Sequence, residues 1–395
     1  MAHQTQWNKN TKYALDLYKH AIRTAGLWPL DDRASLRVFL VATIQITLMA
    51  VFVRNIVIKG NCGGITEFVD AITLIGTSTM AVIKIILSWL HQKRVSSILK
   101  AVVQDWAHVE NNKSRHIMLR YAYVGRVVFM VQMFGVYMTI IPLILTNLPN
   151  LADFKHPDNA SIIGRSIPIG PECWVDPEMS SIRYCAYYIF VCIHLFLLAT
   201  VYLGVDVFAF GLAMHLCGQF ELLSRSLDEL DVNKSESTQR KIVTQFSKRH
   251  SVLLKLAEDF EAVFHMLIFF ELGTNTFIIS ISEIIFLWAF KIGDTQIIAA
   301  MITRIYLMYI QIFMFSHIGE HLTTRAQQLQ VAIYNSPWYK ISPFIARDMK
   351  FIMMRNNQLF HLTAGKIWHM NYENFKTMLK SMFSYFSILR LMFNE

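Results

Sequence analysis

The sequence predicts an all-α membrane protein: seven transmembrane helices, N-terminus cytosolic and C-terminus extracellular, with helices extended into a cytosolic anchor domain. Three observations lead there. The 395 residues are 54% hydrophobic and only 16% charged, with a mean hydropathy of +0.37, above the range of a soluble domain of this size. The apolar residues gather in seven runs, near 38–53, 68–90, 121–145, 184–216, 264–290, 297–317 and 372–393, and about 20 helical residues cross a hydrocarbon core. Of the 37 Lys and Arg residues, 6 lie inside the runs and the rest alternate between the connecting segments, 25 on the N-terminal side against 6 on the other. Cationic residues stay in the cytosol, which sets the orientation. The net charge of +9 is therefore a topological signal, and no single basic face speaks for nucleic acid.

Taken in order, residues 1–37 are polar and form a cytosolic N-terminal segment without a signal peptide. Residues 38–216 hold helices 1–4, with an outer loop at 147–183. The first run is short, but Asn55–Ile58 extend it and Arg54 can snorkel. Segment 217–263 continues the fourth helix below the membrane. After the polar linker Asp231–Gln239, Ile242, Phe246, Leu253, Leu256 and Phe260 keep helical spacing. Helices 5 and 6 occupy 264–317, and 318–371 supplies further amphipathic helix with a break at Pro337-Trp338. These projecting segments either pack together as an anchor domain or merely cap the bundle.

The last helix, 372–395, carries Lys376, Lys380 and Arg390, and places Ser381, Tyr385, Ile388 and Met392 along one face. That seam suits association with other copies and a pore lining; a plain packing helix stays open beside it. Of three glycosylation sequons, at Asn112, Asn159 and Asn233, only Asn159 falls in an outer loop, and it alone is expected to be modified. Among five cysteines, Cys62, Cys173 and Cys185 lie at the outer side, and one disulfide is expected, Cys173–Cys185 or Cys62–Cys173. Among charges inside the spans, Glu283 and Arg304 lie at similar depth and are expected to pair. Lys84 and Arg126 are read as snorkelling at inner ends, and Asp206 and His215 as binding backbone or anchor groups. Lys376 and Lys380 face either the pore or the anchor.

No nucleophile elbow, phosphate loop or metal-ligand spacing is present, so no enzyme, cofactor or metal site is expected. A receptor signalling through a G protein would have its N-terminus outside, and a transporter would show corresponding broken helices in two halves.

The segments GEHLTTRAQQLQVAIYNSPWY and HLTAGKIWHMNYENFKTMLKSMFSYFSILR carry a pattern that resembles the C-terminal signature of insect odorant receptors. The matching residues are Gly319-Glu320, Ala332, Tyr334, Trp338-Tyr339, Thr363-Ala364-Gly365-Lys366, Phe375 and Ser384-Tyr385-Phe386. A second likeness is GVDVFAFGLAMHLCGQFELL, with Asp206, His215 and Gln219. The resemblance implies a tuning subunit of a ligand-gated, non-selective cation channel. Such a subunit forms a heterotetramer with the odorant receptor co-receptor in the plasma membrane of olfactory sensory neurons. It also implies an odorant pocket among helices 2–6 and a pore lined by helix 7, with Ile388 at the gate and Tyr385 one turn inward. The ending SYFSILRL and the short 215–260 loop depart from the co-receptor, which points to the tuning class. Gustatory receptors, autonomous channels of the same plan, end in a Thr-Tyr…Gln-Phe pattern absent here.

A volatile ligand offers few polar groups, so its site should be apolar and aromatic with one or two hydroxyls. The candidate lining is Thr73, Thr77 and Met80 in helix 2, and Met133, Phe134 and Tyr137 in helix 3. Helix 4 adds Tyr187, Tyr188 and Phe190, helix 5 Phe277 and Ile278, and helix 6 Tyr306 and Tyr309. Tyr306 and Tyr309 stand one turn apart and are expected to share a cavity. The partners expected are thus the co-receptor, a small volatile organic molecule and the lipid bilayer, with no nucleic acid.

Overall fold

The computed structural model describes residues 7–31, 34–60, 63–109, 111–146, 148, 166–176, 179–356 and 360–394. In chain order the helices are α1 (Lys9–Thr24), α2 (Ala34–Lys59), α3 (Ile65–Leu90), α4 (Gln92–Ala107), α5 (Asn112–Thr146), α6 (Ser181–Ser226), α7 (Glu236–Ile292), α8 (Thr295–Asn335) and α9 (Pro343–Asn356). A two-stranded antiparallel hairpin follows, β1 (Thr363–Ala364) and β2 (Trp368–His369), and α10 (Tyr372–Asn394) ends the described chain.

Among the described residues six helices, α2, α3, α5, α6, α7 and α8, are long and apolar enough to cross a membrane. The seventh, α10, has 23 residues, sufficient at 1.5 Å per residue, but Glu373, Lys376, Lys380 and Arg390 keep it out of that set. The first apolar run lengthens as expected, since α2 has 26 residues. Two helices escaped the sequence reading. In α1, Thr11, Ala14, Leu15, Tyr18 and Ile22 are buried at helical spacing, and the Asn8 side chain caps the start by accepting the Thr11 N–H at 2.8 Å. In α4, Val95, Ile98, Leu99, Val102, Val103 and Trp106 form the buried stripe.

Helix α6 is the axis of the molecule. From Leu198 to Glu221 it is buried all round, apart from the half-exposed Leu203 and Gly211. It packs against α5, α8, α1, α3 and α7. The lower parts of α6, α7 and α8 continue beyond membrane length, to 46, 57 and 41 residues. With α1, α4 and α9 they contribute to one continuous apolar core. The α7–α8 turn follows its local sequence: Gly293 takes a left-handed φ of +75° as the cap of α7, and Asp294 accepts the Gln296 and Ile297 N–H groups.

Cys173 is disulfide-bonded, while Cys185, Cys192 and Cys217 are free thiols. The Cys173–Cys185 pairing is thereby overturned: Cys185 already belongs to α6, where it packs as a small half-buried residue. Cys62 and the sequon residue Asn159 lie outside the described residues.

Candidate functional site

Only part of the aromatic set is packed into the core of the bundle. Met80 on α3 and Met133 on α5 are buried in the main core, with Tyr137, Tyr187 and Phe190 packed against it. The Tyr137 hydroxyl shares a hydrogen bond with Thr200 on α6 at 2.8 Å, and its ring lies 6.0 Å from Phe196. The buried Tyr188 donates to the Ile144 carbonyl at 2.7 Å, tying α6 to α5. Thr73 and Thr77 are half-buried, the Thr77 hydroxyl donating to the Thr73 carbonyl at 3.0 Å within its own helix. Tyr187 differs: its hydroxyl is buried and has no hydrogen-bond partner among the described residues.

Others of the set point elsewhere. Phe134, Phe277 and Tyr306 are 67%, 56% and 62% exposed, while Ile278 is buried. Tyr309 turns toward α10 and joins Ile279, Ile312, Met308 and Met382. Tyr306 and Tyr309 thus take different surroundings, because neighbouring helices cover the Tyr309 side of α8 and leave the Tyr306 side bare.

On α10, Met382 is buried, whereas Ser381, Tyr385 and Ile388 face outward, Tyr385 and Ile388 being 67% and 55% exposed. The Met392 side chain lies outside the described set. The helix is reached through the hairpin, which docks on α7. There the Thr363 hydroxyl donates to Glu261 at 2.6 Å and the Gly365 N–H to the His265 carbonyl at 2.9 Å. Gly319 of α8 is needed for this approach, since a Cβ there would stand 1.9 Å from the Met370 carbonyl oxygen. The backbone N–H of Tyr372 then meets Glu320.

The largest departure from the sequence reading lies one turn along α3 from Met80. Lys84, expected to snorkel, is fully buried. Its ammonium stands 2.7 Å from Asp206 of α6 and 2.8 Å from Glu271 of α7, and donates to the Tyr202 carbonyl at 2.6 Å. Gln311 of α8 donates to Asp206 at 2.5 Å, and Tyr202 and Asn275 continue the network. The lysine stays inside because Asp206 and the Tyr202 carbonyl accept its N–H groups and Glu271 pairs with its charge, in place of the acceptors that water at the interface would supply. Asp206 accordingly binds Lys84 and Gln311 in place of backbone or anchor groups. The available signal was that three ionisable residues sit inside apolar runs.

The expected Glu283–Arg304 pair is also overturned. Arg304 pairs with Asp70 of α3, because α8 turns that side chain toward α3 and away from α7. Arg126 is held by α1, donating to the Tyr13 carbonyl at 2.5 Å. His215 meets a helix that the sequence reading missed: its Nε2 lies 3.0 Å from Asp105 of α4. Arg249 of α7 donates there to both Asp105 and Gln219 at 2.7 Å. Burial alone would raise the Asp105 pKa, but the hydrogen bonds and charges of His215 and Arg249 outweigh it and hold the carboxyl below its ordinary value. Beside this network an open polar groove of about 570 Å³ is lined by Gln104, Asp105, His108, Gln219 and Arg249. No group of three or more metal-ligating side chains occurs among the described residues.

Comparison with known proteins places this arrangement. Odorant receptor 10 of Aedes albopictus is 29% identical over 90 residues, 23% of this chain and 24% of that protein. Odorant receptor 85b of Drosophila melanogaster is 19% identical over 194 residues, 49% of each. The matches therefore span from a quarter to a half of these curated relatives. The insect olfactory receptor OR5 from Machilis hrabei superposes with a TM-score of 0.73 at 13% identity, covering 98% of both chains. The same receptor in complex with eugenol gives 0.72, also at 13% identity, over 97% of this chain and 98% of that one. At such identity the likeness is one of fold. The sequence model of the 7tm Odorant receptor family matches residues 64–383, and the chain, a membrane protein, belongs to that family.

Proposed function

We propose that the chain is the odorant-binding tuning subunit of a ligand-gated, non-selective cation channel, assembled as a heterotetramer with the odorant receptor co-receptor in the plasma membrane of olfactory sensory neurons. The observation that carries the binding site is the buried, unpartnered Tyr187 hydroxyl, on a side chain that packs against the main core and against Ile167, Val175, Met179 and Tyr184. A volatile with one hydrogen-bonding group would satisfy that hydroxyl and fill apolar space around it. Eugenol in the OR5 relative has this chemistry, and ligands of that size and polarity are the class proposed. The exposed face of α10, with Ser381, Tyr385 and Ile388, is supported as the pore lining because seven-helix packing leaves it uncovered. In this reading 1–37, 217–263 and 318–371 are cytosolic, 147–183 is outside, and Asn159 is glycosylated.

Whole-cell current to an odorant panel, with G-protein signalling blocked and with or without the co-receptor, tests this reading. Fast cation current only with the co-receptor is expected. Current from the chain alone would replace it with an autonomous, gustatory-like channel. With an active odorant in hand, Tyr187→Phe should raise the half-maximal concentration about fivefold, the effect of one hydrogen bond of about 1 kcal/mol. Unchanged potency would remove Tyr187 from the site.

A further inference from the structure

The cluster around Lys84 does not balance its charge. One ammonium faces two carboxylates, Asp206 and Glu271, and the three side chains are 0–2% exposed. The surroundings are accounted for element by element. Lys84 comes from α3, Asp206 and Tyr202 from α6, Glu271 and Asn275 from α7, and Gln311 from α8. Within this set the amides and the phenol bring dipoles and no charge. The lysine donates to Asp206 and the Tyr202 carbonyl, and its charge also pairs with Glu271 at 2.8 Å. Yet Asp206 Oδ1 and both carboxylate oxygens of Glu271 are buried without a hydrogen-bond partner among the described residues.

An unmatched negative charge with unfilled acceptors inside a bilayer is among the least favourable arrangements a protein can hold. Two carboxyl groups touching one ammonium resolve it in a specific way. If one is protonated, the charge closes to zero and the added O–H supplies a donor where acceptors lack one. We infer that Asp206 and Glu271 hold one proton between them, forming a proton-binding site beneath the outer aromatic region. The bound proton is what allows a single lysine to tie α6 and α7 to α3 at one level. A second metal-like cation does not fit, because the Lys84 ammonium already occupies the position between the carboxylates.

The test is an infrared difference spectrum of the purified full-length chain at neutral pH, read in the protonated-carboxyl region. Detergent without ester groups is used, and the band is confirmed by its shift in D2O. It needs neither odorant nor co-receptor, so its failure is separate from failure of the proposed function. Both Glu271→Gln and Asp206→Asn are expected to lose the same band relative to wild type, because either substitution leaves one carboxylate matched by one lysine. Subtraction removes any contribution from the lone buried Glu283. Loss of the band in only one variant would overturn sharing, and no loss in either would show both groups ionised and overturn the proposal. The near-isosteric amides preserve the side-chain volume. Should one fail to fold, the wild-type band and the other variant decide: loss supports the site, and persistence overturns it.

Discussion

Two ionic networks stand at different levels of the same bundle, and they are built from similar parts under opposite conditions. The upper one, Lys84–Asp206–Glu271, is sealed, with no side chain more than 2% exposed. The lower one joins Asp105, His215, Arg249 and Gln219, borders an open groove, and leaves the Arg249 side chain 33% exposed. Water can reach the lower network and replace a lost partner. The upper network has no such substitute, so each group depends on the others. The contrast shows that depth decides what a charge pair is worth in this fold, more than distance does: the shortest ion pairs in the two networks are both 2.7 Å.

The contrast is broken most severely by Lys84→Met, which leaves the negative charge of the Asp206–Glu271 pair buried without a cation. A loss of about 3–5 kcal/mol of stability is expected, the range for removing one partner of a buried pair, read as a fall in folded protein by thermal unfolding in detergent. A loss under 1 kcal/mol would mean that water reaches this level.

Asp105→Asn should cost less, about 1 kcal/mol, because solvent takes over part of its role. Here pH gives a second reading. The Asp105 carboxyl is held below its ordinary value of 3.8, so the folded state binds its proton less readily than the unfolded chain. Its contribution is full above about pH 4 and falls away as the pH drops below that value through the folded-state pKa. Acid titration of stability should therefore be shallower in the variant than in wild type below pH 4. The smallest effect belongs to Arg355→Ala. Its partner Glu258 lies 3.3 Å away, but both side chains are more than half exposed, and exposed pairs contribute about 0–1 kcal/mol. A change of that size, abolished by high salt, would complete the series.

Much of the architecture was legible because it rests on neighbours in the chain. The seven apolar runs became helices at the expected places, whereas the hairpin at 363–369 lies in a segment read as further amphipathic helix; the Gly293-Asp294 turn follows local backbone and capping preferences. The helices α1 and α4 were missed because their apolar stripes are interrupted by many charges, which composition averages away. The candidate site was less legible. Tyr306 and Tyr309 share a helix face by spacing, but which residues α3 and α10 cover depends on how whole helices rotate against one another.

The sequence by itself determined the class, the order of the spans and the family signature in the last third of the chain. Each of these is carried by residues within a few turns of one another, or by bulk transfer of apolar segments into lipid. Only the tertiary structure decided that Lys84 meets Asp206 and Glu271, that Arg304 chooses Asp70 over Glu283, and that Tyr187 is left unpartnered. These partners stand from 122 to 234 positions apart where separations are known. Their pairing follows from helix rotation and relative depth, set by the packing of entire faces around α6, which no local spacing encodes.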